Sequence, residues 1–186
     1  MKRICLFMLL ACSTILSANA QDEAAQKAWM DYMTPGPMHK MMAMATGTWN
    51  TDITFWMAPD GPSSKSTGTC VYRMVLGDRY QESVHTGDMG GMQFEGHGLT
   101  AYDNAKKVFQ SIWYDNMGTG IMMLEGKLDE AAHTLTLTGQ STDPMGKPLG
   151  IREVFKWVDD NTQMMEMYMM QDGKEFKSME MKLTRK

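Results

Sequence analysis

From Thr48 onward, apolar and polar residues alternate in short segments that are separated by turn residues. In residues 49–57 the apolar positions recur at every second residue, with Trp49, Ile53 and Phe55 on one face. Successive side chains of a strand point to opposite faces, so this period predicts strands with one buried face. Roughly ten such segments follow one another as far as Thr184.

Methionine occupies many of the alternating positions. The chain has 23 methionines, and Met165, Met167 and Met169 alternate in one segment, as Met179 and Met181 do in the next. A register shift of one residue would bury the intervening charges, which costs more than exposing a thioether. We therefore predict that these methionines line the interior face of a sheet.

The connections between the segments are short, roughly two to seven residues, which favours antiparallel neighbours. An open sheet of ten strands would leave two edges, and closure into a barrel removes them. The predicted fold class is all-β, an antiparallel up-and-down barrel of about ten strands over residues 48–186. A barrel with more than eight strands has interior room for a ligand.

Two short helices are predicted in residues 21–47, before the barrel. The first covers residues 24–33 and is broken by Thr34-Pro35-Gly36-Pro37. The second begins at Pro37, because proline is favoured in the first turn. We expect Gly47 to end it.

Residues 1–20 have the pattern of a secretory signal peptide. Lys2 and Arg3 precede an apolar stretch, and Ala18-Asn19-Ala20 is a complete cleavage site. The mature chain is therefore expected to begin at Gln21 and to be periplasmic or secreted. Leu9-Leu10-Ala11-Cys12 resembles a bacterial lipobox, and cleavage there would leave a protein that is lipid-anchored through Cys12 instead.

The charge and cysteine content of the mature chain limit its possible partners and the way in which its fold is held together. Loss of Lys2 and Arg3 leaves 16 basic and 22 acidic residues, a formal charge of −6. The acidic balance and the lack of a basic patch argue against a nucleic-acid partner.

Cys70 is the one cysteine beyond residue 20, so a core must hold this exported domain without an internal disulfide. No segment beyond residue 20 has the length and apolarity of a transmembrane helix.

Several short motifs carry a family resemblance. Gly47-Thr48-Trp49 resembles the G-x-W start of lipocalin-like barrels. The more specific segments are Met38-His39-Lys40, Ala45–Trp49, Tyr102–Ala105, Trp113–Gly120, Glu125-Gly126 and Thr142-Asp143-Pro144. Together they resemble the bacterial DUF1579 family, a lipocalin-like group of undefined function, from about residue 36 to 186. The resemblance implies the lipocalin-like barrel and transfers no catalytic residue.

The sequence indicates no catalytic or cofactor site. The histidines lie outside HExxH, HxH and CxxC contexts, and the serines lack a nucleophile-elbow motif. In nitrobindin-type haem barrels the proximal histidine lies in the C-terminal part, whereas the last histidine here is His133. A histidine-ligated haem is therefore not expected, whereas ligation by Met or Tyr stays open. Cys70 is interpreted as a buried, inert thiol.

The preferred interpretation is a non-enzymatic barrel that binds a small, largely apolar molecule. An inward Arg152 would hold a carboxylate; the alternative for Arg152 is a surface pair with an acidic neighbour. The candidate ligand-binding residues are Phe55, Phe94, Trp113, Arg152, Met165, Met167 and Met181.

Two other functions remain open. Clustered thioethers can hold Cu(I), and Met38, His39, Met41 and Met42 are the candidate ligands of such a metal-handling protein. The barrel could also be filled by its own side chains and act as a structural or interaction module. The sequence identifies no protein partner.

Overall fold

The computed structural model describes residues 22–171 and 173–186. These belong to two compact units, one ending at Thr34 and the other spanning Pro35–Lys186. In the first unit, residues 22–33 form helix α1, in which Lys27 Nζ lies 2.6 Å from Asp31 Oδ2 one turn later. The predicted signal peptide, including Cys12, lies outside the described residues.

Ten antiparallel strands close into a barrel in the second unit, which confirms the predicted fold. Each strand pairs with its neighbours in the chain, and the first strand pairs with the last. The strands are β1 (Gly47–Trp56), β2 (Ser63–Val75), β3 (Tyr80–Met89), β4 (Met92–Asp103), β5 (Val108–Asp115), β6 (Met122–Asp129), β7 (Thr134–Thr142), β8 (Pro148–Asp159), β9 (Thr162–Gln171) and β10 (Lys174–Arg185).

Helix α2 (Pro37–Met44) packs against β2, β3 and β4. Its Met42 carbonyl accepts a hydrogen bond from Gln81 Nε2 at 2.5 Å, and the Met42 side chain joins a buried cluster with Phe109 and Leu135. These contacts lie at the end where the β2–β3, β4–β5, β6–β7 and β8–β9 turns lie. We call this the closed end. We call the opposite end the open end; it carries the β1–β2, β3–β4, β5–β6, β7–β8 and β9–β10 turns.

Gly47 does not end α2 as the sequence suggested. The helix ends at Met44, and the N–H groups of Ala45 and Thr46 bond the Met42 and Ala43 carbonyls at 3.1 and 3.0 Å. Gly47, at a φ of 130°, instead opens β1. This backbone conformation is one that residues with a Cβ rarely adopt, so glycine allows the chain to turn from the helix into the barrel wall.

The methionine faces follow the predicted register. Met165 and Met181 are opposite each other across β9 and β10, and both are buried. On the other face, Lys177 Nζ pairs with Glu166 Oε1 at 2.8 Å and with Glu180 Oε2 at 2.7 Å. The period of two therefore separates a thioether-lined interior from a charged outer surface.

Helices α1 and α2 are both short. Among residues 22–171 and 173–186, no helix is both long enough and apolar enough to cross a bilayer.

Candidate functional site

The two halves of the barrel interior are packed differently. In the closed half, the side chains of Trp49, Cys70, Phe109 and Leu183 are fully buried. Towards the open end, strand register also directs large apolar side chains inward, yet they keep a partly accessible surface. These side chains are Phe55, Phe94, Trp113, Met122, Met167 and Met179. Several inward side chains towards the open end are thus less completely buried than those of the closed half, although Leu124 and Ile151 are buried there as well.

An aromatic pair forms part of this accessible wall. Phe94 and Trp113 stack with ring centroids 6.4 Å apart, and the Trp113 indole N–H donates to Asp115 Oδ2 at 2.7 Å. A side chain at Gly96 would collide with the Trp113 ring. The glycine therefore provides the space that the indole occupies.

Six of the seven predicted ligand-binding residues face the interior. Phe55, Phe94 and Trp113 lie towards the open end, Met167 is partly accessible, and Met165 and Met181 lie deeper in the buried core. Strand register thus directs the six apolar residues inward, where the three methionines share one cluster and Phe94 stacks on Trp113.

Arg152 is the exception, because it lies on the outer face. Its Nε and Nη2 donate to the two carboxylate oxygens of Glu175 at 2.8 and 2.6 Å, and its guanidinium lies 3.9 Å from the Tyr168 ring centroid. The prediction of an inward guanidinium for a carboxylate ligand is therefore corrected to a surface ion pair. The same contacts raise the pKa of Arg152, chiefly through hydrogen bonding to Glu175.

The charged group that faces inward in β8 is Glu153. It shares its face with Ile151 and Phe155, and it is paired in register with Leu137 on β7 and Met167 on β9. Burial raises the pKa of Glu153 to about 7, since an apolar environment disfavours the charged form. Within the described part of the chain, the carboxyl of Glu153 forms neither a hydrogen bond nor an ion pair.

A row of polar but uncharged side chains lies on the opposite wall. Cys70 Sγ is 3.2 Å from His85 Nε2, and the Tyr72 ring packs edge-on against His85. Burial raises the pKa of Cys70 to about 12 and lowers that of His85 to about 4. Both groups are therefore neutral at pH 7, which disfavours a nucleophilic thiolate–imidazolium pair.

The nearest structural candidate for a metal centre is α2. His39 is buried, and its Nδ1 accepts a hydrogen bond from the Gly36 N–H at 3.0 Å. Met42 is buried, and Met38 and Met41 pack against the same cluster. Among the described residues, no group of three His, Cys, Asp or Glu side chains is arranged to hold a metal.

Two shallow depressions lie on the outer wall of the barrel. One is lined by polar residues such as Asn50, Thr69 and Thr86, and the other by Leu99, Ile112 and Met123 among others. Asp52 lines the first depression and Glu125 the second, but both depressions are open to solvent. Because small-molecule sites are usually concave and bury most of the ligand, the interior remains the better candidate site.

Sequence reasoning overlooked Glu153, Tyr72 and His85 as site residues. The signal for Glu153 was present, because Ile151, Glu153, Phe155 and Trp157 alternate with Arg152, Val154 and Lys156. The face with two large aromatic residues is the better interior face, and it carries the glutamate. No comparable local pattern sets Cys70 beside His85, since they belong to different strands.

Comparison with known proteins identifies the family. Residues 34–185 match the model of a family described as "Protein of unknown function (DUF1579)". The match covers most of the chain, and the chain belongs to this family. No curated protein matches the sequence.

A solved structure shows the same kind of fold. The crystal structure of Rv2717c from M. tuberculosis superposes with a TM-score of 0.63 at 11% identity, covering 82% of this chain and 99% of that one. A redesigned β-barrel covers 78% of this chain and 94% of its own, with a TM-score of 0.41 and 13% identity. At 11% identity, the first similarity establishes the barrel architecture alone.

Proposed function

We propose that this member of the DUF1579 family is an exported, non-enzymatic protein that binds a small, largely apolar molecule inside its barrel. The observation that carries the proposal is the accessible inner wall towards the open end, formed by residues such as Phe55, Trp113 and Met167. Below it, the buried core and α2 form a closed floor. A concave apolar site with few polar groups is the usual form of a small-molecule site.

The methionines of the inner wall should allow the site to accept ligands of different shapes. Met167 and Met179 are paired across β9 and β10, and both remain partly accessible. The methionine side chain is unbranched and can adopt several shapes without large strain. We expect the wall to repack around ligands of different outline and to discriminate weakly by shape.

A titration with the fluorescent apolar probe N-phenyl-1-naphthylamine tests this function. The mature protein should bind the probe, and Met167→Glu should abolish binding, because it introduces a charge into the apolar wall. Met123→Glu is the matched control, since Met123 is exposed on the outer face of β6. Thermal melting and circular dichroism of both variants separate loss of binding from loss of folding.

Saturable binding that Met123→Glu retains and Met167→Glu loses would support the interior site. Failure of the folded wild-type protein to bind would contradict the proposal and favour a structural or interaction module.

Export is proposed from the N-terminal sequence. The complete Ala18-Asn19-Ala20 site supports a soluble mature protein that begins at Gln21. Mass spectrometry of the exported protein should find this N-terminus. A lipid-modified Cys12 would show that the protein is anchored instead.

Cu(I) handling by α2 is the second candidate. It is supported by the concentration of Met38, His39, Met41 and Met42 in one short helix. Packing and the Gly36–His39 hydrogen bond already account for these side chains, so apolar-ligand binding is the preferred function.

A further inference from the structure

We propose that the interior site selects apolar molecules that carry a protonated amine, with Glu153 as the counter-ion. This proposal rests on the proposed function and adds the chemical class of the ligand. Its basis is geometric, because β8 directs the Glu153 carboxyl inward between Leu137 and Met167. No hydrogen bond or ion pair within the described ranges satisfies that carboxyl.

An unpaired carboxylate is costly in apolar surroundings. Glu153 is half-buried, so its carboxyl loses part of its hydration, and neighbouring apolar side chains provide no replacement. An ammonium group brought in by a ligand would supply both an opposite charge and hydrogen-bond donors. A ligand carboxylate would place a second negative charge beside the first, so the site should disfavour fatty-acid anions.

Among residues 22–171 and 173–186, no basic side chain lies beside Glu153, and burial is the cause of its raised pKa. Strand register places Arg73, Lys156 and Lys177 on the outer face, where Arg73 and Lys177 pair with outer-face acidic residues. Arg185, at the closed end, donates to the Met44 and Thr46 carbonyls at 2.7 and 2.9 Å. Tyr72, which is neutral, is the titratable neighbour that interacts with Glu153, so a positive charge beside this carboxyl would have to come from a bound ligand.

Three other titratable groups on the inner wall are neutral at pH 7. Tyr72 and Cys70 on β2 have pKa values raised by burial, and His85 on β3 has its pKa lowered. The inward positions paired next to Glu153, on β7 and β9, are Leu137 and Met167, and Asp115 lies at the end of β5, bonded to Trp113. Binding of an amine should therefore follow the ionisation of Glu153.

The test compares dodecylamine, dodecanol and dodecanoate as competitors of N-phenyl-1-naphthylamine at pH 8. The three share one alkyl chain and differ in the head group. Dodecylamine should bind about tenfold more tightly than dodecanol, the effect of one charge-assisted hydrogen bond. Dodecanoate should bind more weakly than dodecanol. At pH 5.5, where Glu153 is mostly protonated, the preference for the amine should be lost.

Two variants test whether Glu153 causes the preference for the amine. Glu153→Gln should remove the tenfold preference for dodecylamine over dodecanol. Glu95→Gln is the matched control, because Glu95 is exposed on the outer face of β4, where it bonds His97. It should leave the preference intact. Near-ultraviolet circular dichroism and melting temperature establish that both variants are folded.

The outcomes separate this proposal from the function on which it rests. If dodecanol competes but dodecylamine shows no preference, the ligand class is wrong and apolar binding stands. If the preference persists in Glu153→Gln, or disappears in Glu95→Gln, attraction to the outer surface explains it and the proposal is overturned. If the folded wild-type protein binds neither the probe nor any of the three competitors, the proposed function itself fails.

Discussion

Arg152 and Glu153 are consecutive in β8, and their charges lie on opposite sides of the barrel wall. The guanidinium is outside, held by both oxygens of Glu175. The carboxyl is inside, among apolar side chains. The interior of the barrel is therefore acidic rather than basic, which reverses the ligand charge that an inward arginine would have selected.

Stability should fall as pH rises through the titration of Glu153. The pKa of this carboxyl is raised from 4.5 to about 7 by burial. Between these values the unfolded chain releases a proton that the folded chain retains, so the free energy of unfolding decreases. Glu153→Gln should therefore be more stable than wild type at pH 8, by about 2–3 kcal/mol. The two should differ much less at pH 4.5.

Urea denaturation at both pH values measures this difference. Glu130→Gln is the control, because Glu130 lies in an exposed turn, and it should track the wild type throughout. A Glu153→Gln effect of equal size at both pH values would show that packing, not ionisation, is responsible.

His85 should have the opposite dependence on pH. Burial lowers its pKa from 6.5 to about 4, so below pH 6.5 the unfolded chain binds a proton that the folded chain does not. The free energy of unfolding then decreases as pH falls through this window. His85→Gln should reduce this loss of stability at low pH by about 2–3 kcal/mol. Each variant is compared with wild type at the same pH, because the titration of Glu153 changes the stability with pH in the opposite direction.

For this comparison, His133→Asn is a suitable control. His133 is exposed in the β6–β7 turn at a φ of 49°, a conformation that asparagine tolerates. His133→Asn should lose as much stability at low pH as the wild type does. If His85→Gln also loses as much stability as the wild type, His85 is not the cause of the acid sensitivity.

Gly96→Ala should destabilise the fold by about 1–3 kcal/mol. The added methyl group would meet the ring of Trp113, which is held by Asp115 and stacked on Phe94. Gly118→Ala is the matched variant, because nothing lies within 4 Å of its added methyl group. Chemical denaturation should separate the two, and equal stability would show that Trp113 moves aside at no cost.

Arg152→Ala should cost about 1 kcal/mol of stability at most, because exposed ion pairs contribute little. Binding of N-phenyl-1-naphthylamine and of dodecanoate should be unchanged, since the guanidinium lies on the outer wall. Fluorescence titration and thermal melting measure the two effects. A selective loss of dodecanoate binding would restore Arg152 as an interior anchor.

The Cu(I) alternative makes a separate prediction. If α2 holds the metal, Met38→Ala combined with Met41→Ala should remove Cu(I) binding and leave probe binding intact. Equilibrium competition with a Cu(I) chelator measures the first property. If packing is their role, as their place in the α2 cluster indicates, wild type and the double variant should compete equally poorly. The double variant should then lose about 2 kcal/mol or more of stability.

By itself, the sequence determined the number of strands, their order and the thioether-lined face. These follow from local rules: a period of two assigns Met165 and Met181 to one face, and short turns join antiparallel neighbours. The same alternation, applied to Phe155 and Trp157, would also have placed Glu153 inside. Local composition was less reliable at the helix end, because Gly47 suits a helix cap and a strand opening equally well.

Only the tertiary structure decided which part of the interior is filled and which charge is left unpaired there. Cys70 and His85 meet because β2 and β3 are in register, and Glu153 lacks a partner because the walls opposite it present apolar or neutral groups. Desolvation depends on all the strands that surround a side chain. A period read along one strand identifies the inner face, but it does not reveal what the other strands place across from it.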